Sequence, residues 1–466
     1  MSRALAIAGV ALVTSAYAGS PEVFFSGHAG PYLLHVVVHM PGVIPGRAVI
    51  TVTGSPEVEQ VTVQPVVWDA GPDGAPPADP AARNPGSGAF HAELWLMTAG
   101  SYGVRVTAAG SRGVGTAVVP VSAAAYRRLG MSRSLAATLL SLATFLIAGV
   151  LTIVWTSARE SALPPGEPPD SGRRRRAWMV TSAAGVVLGT AVVGGLAWWR
   201  AVDAGYAAKL YRPPYVTTSV QETPRDRVLT LTIRDSSWAA RRARYPLILE
   251  EGKLMHLFLV RESSPGAFAH LHPARPGQWT FEARLPPLPA GRYLVFAEVV
   301  DSTGFAEIIP ASVDLQAAAG IGAEPRPFDP DDSWWTPTDQ QACAGSTAGA
   351  ACRRLADGST VTWERDDDLA FRLRLSASGS ARSGEVLVLE PHGELVHVRP
   401  FGTMPLAALE RFSAAPSLSS VDSGGVSFPY RLSEGGRYRL WVQVKEGRRM
   451  VMAVFDTVAT PSAPRQ

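Results

Sequence analysis

Two apolar segments without a charged residue, Leu135–Thr156 and Ala177–Trp199, dominate the hydrophobic pattern of the chain. Each is long enough to cross the roughly 30 Å hydrocarbon core of a bilayer as a helix. Residues 157–176 between them form a polar loop that ends in four consecutive arginines. We therefore predict a transmembrane α-hairpin whose surroundings are a lipid bilayer.

The basic loop 157–176 predicts the orientation of this hairpin. Short arginine-rich loops stay cytoplasmic, so both flanking regions are expected outside the cytoplasm. Residues 1–18 agree, because they combine one arginine, an apolar run and an ending with small residues two apart, which is typical of a secretory signal. An uncleaved anchor is the alternative, and either version exports the region that begins at residue 19. The predicted location is the bacterial inner (cytoplasmic) membrane, with the bulk of the chain periplasmic.

Outside the hairpin, short runs of alternating apolar and polar residues are separated by glycine and proline. Examples are Tyr32–His39, Val228–Ile233 and Arg437–Lys445. Several strands at this spacing without helical periodicity favour antiparallel β-sandwiches. The fold class predicted is mainly β with a transmembrane α-hairpin, and with three Ig-like sandwich modules outside the membrane. The predicted modules are residues 19–130, 214–316 and 358–458, with residues 317–357 as a linker.

The three exported regions resemble one another in sequence. Each contains a strand, a turn with glycine, and a second strand that begins with Gly-x-Tyr, at Tyr102, Tyr293 and Tyr438. A further match aligns Phe268-Ala-His-Leu-His-Pro with Leu395-Val-His-Val-Arg-Pro. We interpret these matches as internal duplication, in which an arginine of the third module replaces the second histidine.

The best candidate for chemistry is a histidine cluster in the second module. His270 and His272 are two residues apart on a predicted strand, so both imidazoles point to one face. A hairpin would bring His256 or Met255 of the preceding strand alongside, and this set suits copper or another heavy metal ion. The alternative is structural, with imidazoles bonded to carbonyl groups of the next loop. The histidines of the third module are expected to make a poor site, because Arg399 replaces the second imidazole.

The two cysteines, Cys343 and Cys352, lie close together in the predicted linker. In an oxidising compartment they are expected to form a disulfide, with metal binding or two free thiols as alternatives. In the same linker Asp329, Asp331 and Asp332 are expected to be solvated charges. They lack the glycine turn and the terminal glutamate of a calcium loop.

The second apolar segment contains Gly185 and Gly189, a spacing that lets another helix approach closely. We expect this face to pack on the first helix of the same chain. Contact with another copy or with another membrane protein is the alternative.

Composition and motifs exclude several functions. The net charge of +3 in 466 residues implies no nucleic-acid partner. The sequence lacks a phosphate-binding GxxxxGK[ST] loop, HExxH, GxSxG and a CxxCH haem site. We therefore predict a protein that is not an enzyme and that has no certain cofactor, copper being the named candidate.

Residues 26–46 and the Gly-Ser-Tyr hairpin resemble the FixH/YtkA-like group of exported Ig-like domains. The segment Met255–Arg261 (MHLFLVR), followed by Phe268-Ala-His-Leu-His-Pro, resembles a motif of uncharacterised bacterial envelope proteins, some of which are associated with heavy-metal-binding modules. The resemblance implies an exported β fold, and it supplies no catalytic residues.

Three hypotheses arise from the sequence. The first is a membrane-anchored envelope protein whose sandwiches bind a ligand outside, with copper or another heavy metal as the candidate. The second is an accessory or assembly subunit of a membrane complex of the respiratory type, which the FixH-like resemblance implies. An envelope enzyme with an unrecognised site is the third.

Overall fold

The structure, a computed structural model, describes residues 22–459 with short gaps. The gaps are residues 162, 165, 223–225, 263–265, 318–328, 338–340, 344–349, 355–359, 366–369, 377–382, 413–420, 423–424, 433–434 and 447–448. The predicted signal, residues 1–18, lies outside the described residues. The chain forms two compact units, Met1–Ala124 with Tyr211–Gln466, and Ala125–Leu210.

The smaller unit is a pair of helices, α1 (Arg133–Glu160) and α2 (Ser171–Ala208). The side chains of Ser132 and Asp170 cap their N-termini, each accepting from a backbone N–H three residues on. Both helices are long and apolar enough to cross a membrane. They contain the two predicted segments and extend beyond them at each end.

In α2, Gly185 is half-buried, whereas Gly189 and the intervening Val186 and Val187 are exposed. A Cβ atom built on either glycine would meet nothing within 4 Å. The two helices contact each other through the rings of Trp155 and Trp178, whose centroids are 5.2 Å apart. That the glycine face packs on the first helix stays a prediction.

The larger unit contains three modules of β-strands. The strands of the first module (residues 22–124) are β1 (Glu22–Ala29), β2 (Tyr32–His39), β3 (Gly46–Gly54), β4 (Val58–Val67), β5 (Asp79–Pro80), β6 (Ala82–Arg83), β7 (Phe90–Leu96), β8 (Gly100–Gly110) and β9 (Gly113–Ala123), with a 3-10 turn at Pro72–Gly74.

The second module (residues 211–316 with 333–335) adds one helix, α3 (Ser236–Arg244). Its strands are β10 (Val216–Glu222), β11 (Arg227–Ile233), β12 (Leu247–Ile248), β13 (His256–Arg261), β14 (Phe268–Leu271), β15 (Ala274–Gly277), β16 (Thr280–Arg284), β17 (Gly291–Asp301), β18 (Ala306–Leu315) and β19 (Ser333–Trp335).

The third module (residues 341–459) contains helix α4 (Leu406–Phe412). Its strands are β20 (Gln341–Ala342), β21 (Ala350–Arg354), β22 (Thr360–Arg365), β23 (Ala370–Ser376), β24 (Ser383–Leu389), β25 (Leu395–Val398), β26 (Val421–Asp422), β27 (Gly425–Pro429), β28 (Gly436–Glu446) and β29 (Arg449–Ala459).

All three modules repeat one arrangement of antiparallel strands. In the first, second and third modules, one sheet contains the neighbouring strands β3-β7-β6, β11-β16-β15 and β23-β27-β26, respectively. In the same order, the other sheet contains β5-β4-β8-β9, β14-β13-β17-β18 and β25-β24-β28-β29. In the second module both sheets contribute to a single hydrophobic core. The repeated topology agrees with the internal duplication inferred from sequence.

The Gly-x-Tyr strand begins in the same backbone conformation in each module. Gly100, Gly291 and Gly436 have φ values of 144°, 142° and 148°, a region that residues with a Cβ rarely adopt. The tyrosine two residues later is buried in every case. The glycine therefore turns the chain, and the tyrosine anchors the new strand in the core.

Replacing Gly100 with alanine should destabilise the protein by about 1–2 kcal/mol, because the backbone there is unfavourable for any side chain. A Cβ at Gly100 meets no atom within 4 Å, so no steric clash contributes. Thermal melting of wild type and Gly100→Ala checks this. Gly130→Ala is the control, since that glycine also has open space and no positive φ. Equal melting temperatures for all three proteins would contradict the assignment.

The predicted linker, residues 317–357, contributes strands to both neighbouring modules. Strand β19 pairs with β14 of the second module, and β21 pairs with β22 of the third. Cys343 and Cys352 form a disulfide, as predicted.

The second and third modules pack through corresponding sheets. Phe258, Phe268 and Phe296 meet Leu387 and Trp441 in one apolar cluster. The rings of Phe268 and Trp441 stack with centroids 4.6 Å apart. The histidine cluster lies beside this apolar contact, between the two modules.

The first module contacts both of the others. Ser101 Oγ lies 2.9 Å from Thr303 Oγ1 of the second module. Thr403 of the third module donates its N–H to the carbonyl oxygen of Phe24 at 3.0 Å. The three modules thus form one body, although the helical pair separates the first from the second in sequence.

Candidate metal centre

Strand alternation assigns the histidines to the face opposite the module core. Met255, directly before β13, and Leu257 in β13 belong to the hydrophobic core of the second module, and His256 points away from it. In β14 and just beyond it, Leu271 is in the core, and His270 and His272 face the third module. Met255 is therefore not beside the imidazoles, which corrects its prediction as a ligand. The predicted geometry of the three histidines is found, but they are buried rather than exposed.

The antiparallel register of β13 and β14 brings the three imidazoles together. Phe258 lies opposite His270, so His256 comes level with His272 at the ends of the strands. One ring nitrogen from each of the three histidines lies within 4.8 Å of the others. His256 Nδ1 and His270 Nε2 are 3.0 Å apart. Two nitrogens bound to one tetrahedral zinc ion would be about 3.3 Å apart, so this spacing is close to that of metal ligands.

Each imidazole also has one nitrogen next to an acceptor. Nδ1 of His270 lies 2.9 Å from Glu385 Oε1, and Nδ1 of His272 lies 3.1 Å from Asp332 Oδ1. Nε2 of His256 lies 3.3 Å from the carbonyl oxygen of Glu250. A carboxylate or carbonyl oxygen only accepts, so the nitrogen facing it carries the proton. The second nitrogen of each neutral ring is then a bare acceptor.

With this tautomer of His256, the facing nitrogens of His256 and His270 present lone pairs to each other at 3.0 Å. A metal ion between them removes the repulsion. The other neutral tautomer of His256 also removes it, because Nδ1–H then donates to His270 and the 3.3 Å contact of Nε2 with Glu250 is given up. Burial lowers the pKa of His256 well below its usual value, and the neighbouring His270 lowers it further. The charged imidazolium of His256 is therefore disfavoured, and the neutral ring is the form that can bind a metal ion.

Burial also lowers the pKa of His272, although its hydrogen bond to Asp332 opposes the change. A neutral imidazole is the form that binds a metal ion. The pKa shifts of His256 and His272 thus favour the ligand form of both side chains.

The third module supplies a carboxylate and a fourth imidazole at the cluster. Glu385 Oε2 lies 2.7 Å from His397 Nε2, and His397 Nδ1 lies 2.7 Å from Glu298 Oε2 of the second module. Both nitrogens of His397 are occupied, so this residue is a spacer between two carboxylates and not a ligand. Burial and Arg399 lower the pKa of His397, but Glu298 and Glu385 outweigh them and raise it to about 9.

Arg399 and Glu250 extend this network. Arg399 Nη2 lies 3.1 Å from Glu250 Oε1 and 3.3 Å from Glu298 Oε2. The Glu250 carboxylate also accepts the N–H groups of Leu406 and Ala407, at the start of α4. Burial raises the pKa of Glu250, and Arg399 opposes the rise. Burial also acts to raise the pKa of Glu298, but Arg399 and His397 lower it on balance.

A cleft of about 220 Å³ gives access to the three imidazoles. Its lining includes Lys253, Asp331 and Lys445 besides the histidines. Lys445 Nζ lies 2.6 Å from Asp331 Oδ1, and Lys253 is paired with Asp329. Each of the two lysines is therefore paired with an aspartate, and the cleft leads to the imidazoles.

His397 makes the stability of the metal-free protein depend on pH. Its folded-state pKa of about 9 exceeds the unfolded value near 6.5. The stabilisation is therefore complete below pH 6.5 and is lost as the pH rises through 9. We expect wild type to exceed His397→Gln by roughly 3 kcal/mol more at pH 6 than at pH 10, from the 1.36 kcal/mol per pKa unit. Thermal melting in chelator across this range checks it, and a difference that is independent of pH would contradict it.

The sequence interpretation missed several residues of the site. Asp332 was expected to be solvated, but its side chain is buried and accepts from the backbone N–H of His272 at 2.7 Å. This expectation is wrong because β19 pairs with β14 and carries the aspartate to the cluster. Asp329 and Asp331 are half-buried and paired with lysines. In the sequence, the alignment of the His270 motif with the His397 motif was the feature that could have indicated a site between the two modules.

Comparison with known proteins gives no assignment. No protein-family model matches the chain, and no curated protein matches it. The chain is similar to a solved structure of the BSP domain of a biofilm-associated protein at 8% identity, with 96% of this chain and 67% of that chain covered and a TM-score of 0.13. It is similar to a D1–D4 ectodomain fragment of ICAM-5 at 9% identity, with 92% of this chain and 77% of that chain covered and a TM-score of 0.15. It is also similar to a putative membrane anchored protein from Corynebacterium diphtheriae at 9% identity, with 96% of this chain and 98% of that chain covered and a TM-score of 0.14. Such low TM-scores establish no common fold, and the FixH/YtkA-like resemblance stays a prediction.

Proposed function

We propose that this chain is a membrane-anchored envelope protein that binds a divalent transition-metal ion through His256, His270 and His272. One observation carries the proposal. Each imidazole has one nitrogen held by an acceptor and the other directed toward the remaining two imidazoles. Histidines that bind metal ions in proteins almost always have such a partner on the second nitrogen. The proposal assigns binding and no reaction.

The ligand set favours Zn²⁺ or Cu²⁺. Imidazoles suit both ions, whereas thioether sulfur would select Cu⁺. Because Met255 packs in the module core, nothing in the cluster favours Cu⁺. The carboxylates beside the ligands, Glu385 at His270 and Asp332 at His272, also favour a cation over an anion.

Membrane anchoring and export are part of the proposal. The first module packs on the other two, so residues on both sides of the helical pair must lie on the same side of a membrane. Two crossings satisfy this requirement and one does not. The Cys343–Cys352 disulfide favours an oxidising compartment. We place the modules on the periplasmic side of a bacterial inner membrane.

We further propose that the modules are Ig-like. The neighbours β11-β16-β15 and β14-β13-β17-β18 correspond to the two sheets of an Ig-type sandwich. The hydroxyl groups of Tyr102 and Tyr293 donate to the carbonyl oxygens of Thr98 and Pro289, four residues upstream. These contacts resemble the tyrosine corner of Ig-like folds and support the proposal.

The test is metal analysis of the full-length protein in mild detergent, followed by titration with Zn²⁺ and Cu²⁺ against a chromophoric chelator. We expect one tightly bound ion per chain. The competition shows which of the two ions is preferred. Absence of tight binding by either ion would refute the proposal and favour the accessory-subunit hypothesis, which co-purification from membranes would then examine.

A further inference from the structure

We infer that Glu385 of the third module is a positioning residue for the proposed metal ion, so that the second module holds the ion tightly only while the third is docked on it. The inference rests on the proposed function and concerns the control of that same site. Glu385 lies in the third module, whereas the three ligands lie in the second.

Glu385 bridges imidazoles of two modules. Oε1 lies 2.9 Å from His270 Nδ1 in the second module, and Oε2 lies 2.7 Å from His397 Nε2 in the third. His397 is itself held at 2.7 Å by Glu298 of the second module. The carboxylate is only 13% exposed. With both oxygens engaged, Glu385 has a fixed orientation.

A carboxylate on the outer nitrogen of an imidazole does two things for a metal ion. It fixes the ring orientation and the tautomer, so that the inner nitrogen is free to bind, and it makes that nitrogen more basic. For His270, Nδ1 has two acceptors of the third module, Glu385 Oε1 at 2.9 Å and Gln443 Oε1 at 3.2 Å, which keep the proton on Nδ1 and leave Nε2 for the ion. Gln443 Oε1 is a neutral acceptor and cannot replace the charge.

Of the three ligands, His270 is the one that receives this support from the third module. His256 is oriented by the carbonyl oxygen of Glu250, and His272 by Asp332. Glu250 belongs to the second module, and Asp332 directly precedes β19, the strand that extends its sheet. Undocking the third module would therefore leave two oriented ligands and release the third.

The duplicated strands explain how one copy of the site became the support of the other. Phe258 lies opposite His270 in the second module, and Leu387 lies opposite His397 in the third. His256 lies two residues before Phe258, and Glu385 lies two residues before Leu387. Glu385 therefore occupies in the third module the position that His256 has in the second. The two modules present like faces to each other, and where one has a ligand the other has a carboxylate.

Glu385→Gln in the full-length protein is the test, because glutamine keeps the shape and removes the charge. We expect zinc affinity to fall about 10–100-fold. With Co²⁺ in place of zinc, the visible absorption bands should shift, which a loss of stability alone would not cause. The zinc affinity of the double variant Glu385→Gln/His397→Gln should be no more than about 2-fold below that of Glu385→Gln. Both changes interrupt the same chain of contacts, from His270 through Glu385 to His397.

Glu307→Gln is the matched control. Glu307 is another buried carboxylate of the second module, bonded to Trp238 and Arg242 and apart from the cluster. It should lower the melting temperature and leave zinc affinity within about 2-fold of wild type. If Glu385→Gln also retains wild-type affinity and spectrum, the inference is overturned and the proposed function stands. If wild type itself binds neither ion, both fall.

Hydrogen exchange tests the docking part separately. Zinc should slow amide exchange in β24 and β25 of wild type, although none of the three ligands lies there. In Glu385→Gln this slowing should be lost, while slowing in β13 and β14 persists. Equal exchange in β24 and β25 with and without zinc would show that binding is independent of the third module.

Discussion

Replacing His270 and His272 together with alanine should abolish tight zinc and copper binding by the full-length protein. Each lost ligand of a zinc site costs on the order of 10²–10³-fold in affinity, if the binding free energy of such sites is divided among their ligands. The double variant retains only His256, which cannot hold an ion alone. Competition titration with a chromophoric chelator measures the loss, and metal analysis of the purified variant should find no bound ion.

The matched control removes two imidazoles from the first module instead. His28 and His91 are exposed, so His28→Ala/His91→Ala tests whether any pair of histidines collects metal ions nonspecifically. Its affinity should equal that of wild type. Met255→Leu is the second control, and it should also bind normally because Met255 lies in the module core. A large loss of affinity in Met255→Leu would restore the thioether to the ligand set.

The three ligands were accessible to sequence reasoning because they depend on local strand geometry. The spacing of His270 and His272 puts both on one face, and the apolar pattern around Leu257 and Leu271 shows which face is the core. The same alternation excludes Met255, since it and His256 are consecutive residues and Met255 lies in the core with Leu257.

The supporting residues depend on contacts that no local pattern contains. Glu385 and His397 reach the cluster because two sheets pack face to face, with Phe268 stacked on Trp441. Asp332 reaches it because β19 extends the sheet of the second module from within the predicted linker. Such packing is determined by tertiary contacts between segments far apart in the chain. The sequence repeat indicated that like faces existed, but not that they would meet.

Replacing Arg399 with methionine should destabilise the protein by about 3–5 kcal/mol, because it leaves buried carboxylates without their cation. Arg399 is 1% exposed and pairs with Glu250 and Glu298. Glu250 also caps α4, so the loss should spread to that helix. Thermal and chemical denaturation of the metal-free protein measure the effect. Arg292→Met is the control, since its pair with Glu262 is about one-third to one-half exposed and should matter by less than about 1 kcal/mol.

The pH dependence of this loss separates charge from packing. In wild type, Arg399 is the main group that lowers the pKa of Glu298 against the effect of burial. Without Arg399 the pKa of Glu298 rises, and protonation at lower pH removes the unpaired charge. The deficit of Arg399→Met relative to wild type should therefore be largest near pH 8 and smaller near pH 5. A deficit of equal size at both values would mean that the guanidinium contributes by filling space, and the electrostatic role assigned to it would be wrong.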